Sequence, residues 1–304
     1  MNNTKTALSK KLDEPISIRP LTEDELNFYR ENGYVIVRRL FDPEEMELVR
    51  AVCQSDPKLK EVFKPVIDND GKTWGASVWA GLNDSLVSIV TQTARMVSAA
   101  EAITGESCYF MYSKIVQKAA YDDAIVYWHQ GFPAWYYDGC PFPDLFASFS
   151  IAVNRNTKDN GCLQVIEKSH LLGRIDHISE GNSEKVRCNP KQITRALEHL
   201  KVVDCEMETG DILFFHGNTI HGSQGNITGD VRILMHGHYN ALINRPSEDK
   251  PDSHRCVPMK KFPDSAIKDG LYTSGFESDS QNWNWYNKEP EDYTGTKNLH
   301  RVKK

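Results

Sequence analysis

From about residue 107 onward, the sequence is a series of short segments rich in β-branched and aromatic residues, each bounded by Gly, Asn, Asp or Pro. The segments read CYFMYSKIVQK, YDDAIVYWH, LFASFSIAV, CLQVIE, DILFF and VRILMHGHY. Many short strands separated by turn residues are typical of a β-sandwich or a β-barrel. This pattern therefore predicts a strand-rich core for the second part of the chain.

The first hundred residues carry helix signals instead. A capping box at residues 22–25 predicts a helix that ends near Gly33. The sequence Asp-Pro-Glu-Glu at 42–45 predicts a second helix that runs to about Cys53, and residues 85–104 repeat apolar side chains at helical spacing. Helices followed by many short strands indicate an α+β protein.

The pattern predicts one catalytic domain over residues 1–304. Its predicted parts are a flexible tail (1–18), a mainly helical N-terminal part (19–105) in which 54–84 is rich in turns, a β-rich core (106–244) and a loop-rich C-terminal cover (245–304).

Composition narrows the functional classes. A hydrophobic content of 39% with 26% charged residues fits a globular core, and a net charge of −6 gives no basic field for a nucleic-acid polymer. The sequence contains no run of eighteen or more apolar residues, so it predicts no membrane span. The N-terminus lacks the apolar region of a secretory signal. The seven cysteines include no CxxC pair, which favours reduced thiols and a cytoplasmic setting. The sequence does not indicate an oligomeric state.

Two histidine motifs and an arginine suggest a metal and co-substrate site. His129 lies in YWHQGF, His221 lies in HGNTIHGS, and Ser223 and Arg232 follow His221 by two and eleven residues. Imidazole suits Fe(II), and the planar fork of an arginine matches a carboxylate of a dicarboxylate co-substrate.

On these motifs, and on ENGYVIVRRLF and KDNGCLQVIEKSH, the chain resembles the phytanoyl-CoA dioxygenase family and locally its ectoine-hydroxylase branch. The resemblance implies a double-stranded β-helix, also called a jelly-roll or cupin-like fold, with N-terminal helices packed on it. It implies O2 as a substrate and Fe(II) held by two histidines and one carboxylate in an HxD…H motif. By residue match, His129 and His221 would hold the iron, while Arg232 and Ser223 would bind 2-oxoglutarate.

The sequence departs from that pattern at the carboxylate, because the motif reads His129-Gln130-Gly131. Members of this oxygenase superfamily that halogenate carbon carry Gly or Ala here, and chloride occupies the vacant position. A glycine leaves room for an anion beside a cation that needs charge compensation. The resemblance therefore predicts a halogenase that chlorinates an aliphatic C–H bond of a small soluble metabolite, with chloride bound at Gly131 and 2-oxoglutarate converted to succinate and CO2.

Three alternatives remain open at this point. Asp138 or Asp144 could reach the iron, which would leave an ordinary hydroxylase. The site could be inactive, which would make the chain a ligand-binding protein. Gly131 could also be an introduced substitution of an Asp in a parent hydroxylase.

The neighbouring residues have weaker signals. Phe132 and Trp135 follow the metal motif directly and are candidates for the substrate pocket, with a packed loop core as the equal alternative. Gln130 is expected to point away from Gly131 on its strand and to support the site from behind.

The remaining histidines and lysines of the strand-rich part are not assigned to the site. His216 is predicted to be structural because its five-residue separation from His221 places the two on opposite faces of a straight strand. His236 and His238 share a strand face; they could line the sheet near Arg232, but a structural role is predicted for both. Lys114 and Lys118 alternate with apolar neighbours; one of them could contact an anionic substrate, but neither is assigned a function.

Overall fold

The computed structural model describes residues 21–67, 71–178, 187–248 and 256–277. Its helices are α1 (Glu23–Asn32), α2 (Pro43–Ser55), α3 (Pro57–Glu61), α4 (Leu86–Gln92), α5 (Ala94–Thr104), α6 (Pro133–Tyr136) and α7 (Pro190–Leu197). Its strands are β1 (Tyr34–Val37), β2 (Phe63–Ile67), β3 (Thr73–Trp79), β4 (Cys108–Lys118), β5 (Val126–His129), β6 (Phe146–Ala152), β7 (Leu163–Ile166), β8 (His177–Ile178), β9 (Arg187–Cys188), β10 (Val202–Asp204), β11 (Ile212–His216), β12 (His221–Ser223) and β13 (Arg232–Ala241).

The strands form two larger antiparallel sheets and a short ribbon. The major sheet has seven strands in the order β1-β11-β6-β13-β4-β3-β2, the minor sheet has four in the order β10-β7-β12-β5, and β8 pairs with β9. Apolar side chains of β7, β11 and β13 pack in one cluster between the two sheets. This is the double-stranded β-helix that the resemblance implied, and that prediction is confirmed.

Alternation along the major sheet decides which side chains enter the space between the sheets. Successive side chains on a strand point to opposite faces. On β11, Phe214 joins the larger core against the helices, whereas Leu213 and Phe215 join the cluster between the sheets. On β13, Met235 lies on the helix side and Leu234 on the inner side. The even-numbered residues 232–238 of β13 therefore face the interior, where the candidate site lies.

The helices bury the outer face of the major sheet, as predicted. The α1 helix begins with the Thr22 capping box and ends at Gly33, whose φ of 80° is the left-handed conformation that ends many helices. The predicted 85–104 helix is wrong in one respect: it is interrupted at Thr93, where the chain is extended and forms a bridge with Phe262.

The turn-rich interpretation of residues 54–84 is also wrong. The stretch contains α3, β2 and β3, and β3 pairs with β4 and extends the major sheet. Lys64 and Pro65 of β2 are exposed, so this edge hairpin lacks the apolar alternation that would have revealed it. The predicted strand YDDAIVYWH is ordered as a strand only over Val126–His129.

The structure describes residues 245–248 and 256–277 of the predicted cover, and the second of these segments packs onto the helices. Phe262, Ile267 and Phe276 belong to the main core. The predicted tail and residues 249–255 and 278–304 of the cover lie outside the described residues. Within the described ranges, no helix is both long and apolar enough to cross a membrane.

Candidate active site

Strand pairing in the minor sheet places the two predicted iron ligands side by side. His129 is the last residue of β5, His221 is the first residue of β12, and they are direct partners in the antiparallel register. Their ring centroids are 4.1 Å apart. Residues ninety-two positions apart in sequence therefore form one pair of imidazoles, as the motif comparison predicted.

Each ring is oriented by a carbonyl two residues earlier in its own strand. The Nδ1 atom of His129 donates to the Tyr127 carbonyl at 2.8 Å, and Nδ1 of His221 donates to the Thr219 carbonyl at 2.9 Å. A carbonyl oxygen only accepts, so the proton lies on Nδ1 in both rings and the Nε2 lone pair is available for a metal.

The electrostatics keep both rings neutral. Removal from bulk water lowers the pKa of His129 to about 4, and it lowers that of His221 well below 6.5. A neutral imidazole is the form that binds a metal ion. The two side chains thus fit two positions of an Fe(II) site.

The third position carries no side chain. A Cβ atom added to Gly131 would meet only the His238 Cε1 atom within 4 Å, at the ordinary contact distance of 3.6 Å. Gly131 is also absent from the glycines with positive φ, so its backbone conformation does not require glycine. Neither sterics nor backbone geometry explains this residue.

No other described carboxylate takes the missing position. Across the described ranges, no group of three His, Cys, Asp or Glu side chains is arranged to hold a metal ion. The Asp144 side chain is 89% exposed and accepts a 2.8 Å hydrogen bond from His216 Nε2. The suggestion that Asp138 or Asp144 completes the metal site is therefore wrong for this structure. His216 has the structural role predicted for it.

Arg232 begins β13 and is buried, with 1% of its surface exposed. Among the described residues its Nε and Nη1 atoms have no hydrogen-bond partner. Burial lowers the pKa of the guanidinium to about 10, which leaves it charged at neutral pH. A buried cation with two unsatisfied donors is costly unless an anion joins it, so Arg232 fits a carboxylate of 2-oxoglutarate.

Ser223 lies near the same end of the interior. It pairs with Leu163 of β7, and the neighbouring Cys162 interacts electrostatically with Arg232. Ser223 and His221 share one face of β12, and the ring centroid of His221 is 6.4 Å from that of His236 on β13. The interior therefore runs from Arg232 and Ser223, past the histidine pair, to Gly131 and His238.

A polar wall lies opposite the histidine pair, and the sequence interpretation gave this lining role of His236 and His238 only as the less favoured alternative. The Nδ1 atoms of His236 and His238 lie 2.9 and 3.0 Å from the hydroxyls of Ser150 and Ser148, and the His238 Nε2 atom lies 2.8 Å from the Tyr112 hydroxyl. These side chains are held by the structure, as predicted, but they also line the site. Two histidines at i and i+2 on a buried strand were the available signal.

Gln130 holds the end of β5, the strand that carries His129, through hydrogen bonds to neighbouring segments, which is the supporting role predicted for it. Its Nε2 donates to the carbonyls of Gly173 at 2.8 Å and Asn218 at 2.7 Å, and its Oε1 accepts from the Ile175 backbone N–H at 2.8 Å. Its backbone N–H donates to His177 Nε2 at 3.1 Å. Because Asn218 precedes His221 by three residues, Gln130 connects the segments that carry both imidazoles.

Phe132 and Trp135 lie in a buried aromatic cluster next to this wall. The ring of Phe132 packs against Phe146, which contacts His238, and Trp135 packs against Tyr112. The packed-core alternative describes both residues, and their contact with a substrate stays a prediction.

Comparison with known proteins identifies the group to which this arrangement belongs. The model of the phytanoyl-CoA dioxygenase (PhyH) family matches residues 29–234. The ectoine dioxygenase of Stutzerimonas stutzeri is 25% identical over 270 residues, covering 83% of this chain and 89% of that protein. The L-proline trans-4-hydroxylase of Streptomyces griseoviridis is 23% identical over 246 residues, covering 75% and 89%.

Solved structures agree on the fold. EctD from S. alaskensis with 2-oxoglutarate and 5-hydroxyectoine superposes with a TM-score of 0.61 at 19% identity, covering 83% of this chain and 92% of that chain. The α-ketoglutarate-dependent carbocyclase SnoK from nogalamycin biosynthesis gives a TM-score of 0.60 at 19% identity, covering 80% and 93%.

Proposed function

Because the chain belongs to the phytanoyl-CoA dioxygenase family, we propose that it is an Fe(II)/2-oxoglutarate-dependent oxygenase that oxidises an aliphatic C–H bond of a small soluble metabolite. The observation that carries this proposal is Arg232, a buried cation with unsatisfied donors on β13, the strand whose His236 lies beside the pair of neutral imidazoles.

The proposed roles are co-substrate binding at one end of the interior and iron binding beside it. Arg232 and Ser223 bind the distal carboxylate of 2-oxoglutarate, and the fork of the arginine sets its orientation. His129 and His221 hold the iron through Nε2, with their rings fixed by the Nδ1 hydrogen bonds. Bound iron, 2-oxoglutarate and O2 supply the oxidising power, with succinate and CO2 as co-products. The substrate lies toward Gly131 and His238.

Hydroxylation is the reaction that the relatives support. Those compared include an ectoine dioxygenase and an L-proline trans-4-hydroxylase, which align over three quarters or more of this chain. In this reaction the substrate carbon takes a hydroxyl group, and a water molecule or another small ligand occupies the space beside Gly131.

Halogenation is a second candidate, and Gly131 is the observation that favours it. The space beside Gly131 accommodates an added atom at ordinary contact distance, and glycine there is required by neither backbone nor packing. A bound chloride would replace the negative charge of the missing carboxylate and be transferred to the substrate carbon.

Product analysis separates these reactions. The purified protein is supplied with Fe(II), 2-oxoglutarate, O2 and small aliphatic substrates, beginning with ectoine and L-proline, in buffers with or without chloride or bromide. Hydroxylated product at equal yield in all buffers indicates a hydroxylase, and halogenated product indicates a halogenase. Absence of both 2-oxoglutarate consumption and an Fe(II)–2-oxoglutarate charge-transfer absorption would contradict the oxygenase proposal and favour a binding protein.

Two substitutions at one position sharpen the test. Gly131→Asp supplies a carboxylate and is expected to tighten Fe(II) binding and remove any halide dependence. Gly131→Ala adds only a methyl group without charge, and it is expected to leave halide dependence unchanged. Equal effects of both substitutions would mean that Gly131 matters for space rather than for charge.

A further inference from the structure

We infer that Lys118 is a positioning residue of the co-substrate site. Its ammonium group joins the two sheets at one end of the interior and thereby sets the position of Ser223 relative to Arg232. The inference rests on the proposed function, because these are the two residues proposed to bind the distal carboxylate of 2-oxoglutarate. It adds to that site a residue that acts through Ser223.

The register of β4 places Lys118 beside Arg232 on the inner face of the major sheet. The two residues are direct partners in the antiparallel pairing of β4 with β13, and directly opposed side chains lie on one face of a sheet. Val116 packs in the cluster between the sheets, whereas Ile115 packs on the helix side. Lys118 is buried, with 0% of its surface exposed. Its side chain therefore lies in the interior, on the face that carries Arg232.

The ammonium group of Lys118 reaches across to the minor sheet. It donates hydrogen bonds to the Ala124 carbonyl, at 2.8 Å, and to the Gln224 carbonyl. Ala124 lies two residues before β5 begins. Gln224 directly follows Ser223, the last residue of β12. Lys118 thus joins the ends of the two strands that carry the proposed iron ligands, and one of its bonds is to the residue next to Ser223.

Regular strand pairing is disturbed where Lys118 makes these bonds. The register of β12 against β5 shifts between His221 and Ser223, because three residue steps of β5 oppose two of β12. Such a β-bulge disrupts the ladder locally and increases the twist. The chains stay close beyond it, with the Asn226 N–H donating to the Asp122 carbonyl at 2.6 Å. The bonds of Lys118 therefore supply part of the connection that the disturbed ladder does not give.

A carboxylate bound by residues of both sheets needs a fixed distance between the sheets. Arg232 lies on the major sheet and Ser223 on the minor sheet, and a hydrogen bond to a carboxylate forms only within about 2.7–3.2 Å. Lys118 begins opposite Arg232 in the register and ends at the carbonyl that follows Ser223. This one side chain therefore spans the gap that the distal carboxylate of the co-substrate must also span.

The burial of a charged group at this place favours a specific role over simple filling of space. An ammonium group is costly to bury unless hydrogen bonds satisfy it, and a methionine of similar length would avoid that cost. Lysine adds the ability to hold two carbonyls of different strands. Asn226 holds the same segment, with its Nδ2 donating to the carbonyls of Lys118 at 3.3 Å and Ala119 at 2.8 Å. The donors of Lys118 therefore serve to position the carbonyls that they bind.

The test uses two 2-oxo acids that differ only at the distal end. 2-Oxopentanoate has the carbon chain of 2-oxoglutarate with a methyl group in place of the distal carboxylate. Each acid is titrated into the anaerobic Fe(II) protein by calorimetry and by the charge-transfer absorption, and the ratio of the affinities gives the preference for the distal carboxylate. Lys118→Met is expected to lower this preference about tenfold or more, because 2-oxoglutarate loses a well-placed hydrogen bond to a charged group. Binding of 2-oxopentanoate should stay within about twofold of the wild-type value.

A double-mutant cycle shows whether Lys118 acts through Ser223. Ser223→Ala alone should weaken 2-oxoglutarate binding about tenfold. In the Ser223→Ala protein, Lys118→Met should then weaken it by less than about threefold, because the group that Lys118 positions is already absent. Lys72→Met is the matched control, because this exposed lysine contacts Asp123 beside the segment that Lys118 binds. Its replacement should change neither affinity.

The outcomes keep the two proposals separate. Equal weakening of both acids by Lys118→Met, or equal losses with and without Ser223, would make Lys118 a general structural residue and overturn the inference while the oxygenase proposal stands. An unchanged preference, or no preference in the wild-type protein, would overturn it as well. If neither acid gives a charge-transfer absorption, the oxygenase proposal fails, and a calorimetric preference that Lys118→Met removes would still support the inference. Circular dichroism checks folding, and Lys118→Gln enters the same cycle if Lys118→Met does not fold.

Discussion

Replacing Arg232 should affect stability and co-substrate binding in opposite directions. The guanidinium is buried, and its Nε and Nη1 atoms have no partner among the described residues. The pKa of Arg232 falls from 12.5 to about 10 because burial disfavours the charged form. At about 1.4 kcal/mol per pKa unit, the charged side chain destabilises the co-substrate-free fold by about 3 kcal/mol.

Arg232→Met keeps an aliphatic stem and removes this charge. We expect the free energy of unfolding of the co-substrate-free protein to stay unchanged or to rise by up to about 3 kcal/mol, with lost packing of the guanidinium limiting the gain. Binding of 2-oxoglutarate should weaken by about 2–5 kcal/mol, because truncation leaves a buried carboxylate without its cation. That loss corresponds to a dissociation constant about 30- to 4000-fold higher.

Urea unfolding gives the first quantity, and anaerobic titration with 2-oxoglutarate gives the second. Arg95 is a matched control because it is also largely buried but is paired, with its Nη2 atom 2.6 Å from Glu45 Oε1 and its Nη1 donating to the Leu40 carbonyl. Arg95→Met should destabilise the fold by about 3–5 kcal/mol and leave 2-oxoglutarate affinity unchanged.

The reasoning is refuted if Arg232→Met behaves as Arg95→Met is expected to behave. A loss of several kcal/mol in stability with unchanged 2-oxoglutarate binding would make Arg232 a structural residue with partners in solution, and the main support for the proposed co-substrate site would be lost.

Three further outcomes follow from the surrounding structure. Gln130→Leu removes the hydrogen bonds that join the segments of both imidazoles, and anaerobic Fe(II) titration should show affinity about 10- to 100-fold lower; unchanged affinity would contradict the positioning role. Burial lowers the pKa of His177 from 6.5 to about 4, so between these pH values the unfolded chain takes up a proton that the folded chain does not. The contribution of His177 to stability is therefore complete above pH 6.5 and is lost as the pH falls toward 4. His177→Gln should reduce the slope of the unfolding free energy against pH by up to about 1.4 kcal/mol per pH unit, as measured by urea titrations. Gly33→Ala should lower the thermal midpoint more than Gly105→Ala: both have left-handed φ, which costs about 1–2 kcal/mol, but only at Gly33 would the new Cβ lie 2.3 Å from His170 Nδ1; equal effects would mean that the histidine moves freely.

Local signals in the sequence predicted the elements whose ends are set by particular residues. The Thr22 capping box and Gly33 fixed the first helix, and Pro43 fixed the start of the second. The hairpin of β2 and β3 was missed because its edge strand is polar and exposed and contains Pro65, a residue that favours edges over sheet centres. The hairpin is joined to the major sheet by the pairing of β3 with β4, which a local pattern does not reveal.

Some residues of the candidate site could be predicted from local motifs, and others depend on strand pairing. Motif spacing named His129, His221 and Arg232, and the structure brings the two histidines into contact through the register of β5 and β12. His236 and His238 were predicted to be structural because their position beside the histidine pair depends on the pairing of β13 with β4 and β6. In sequence they are polar residues on an apolar strand, for which a structural role is the more common one.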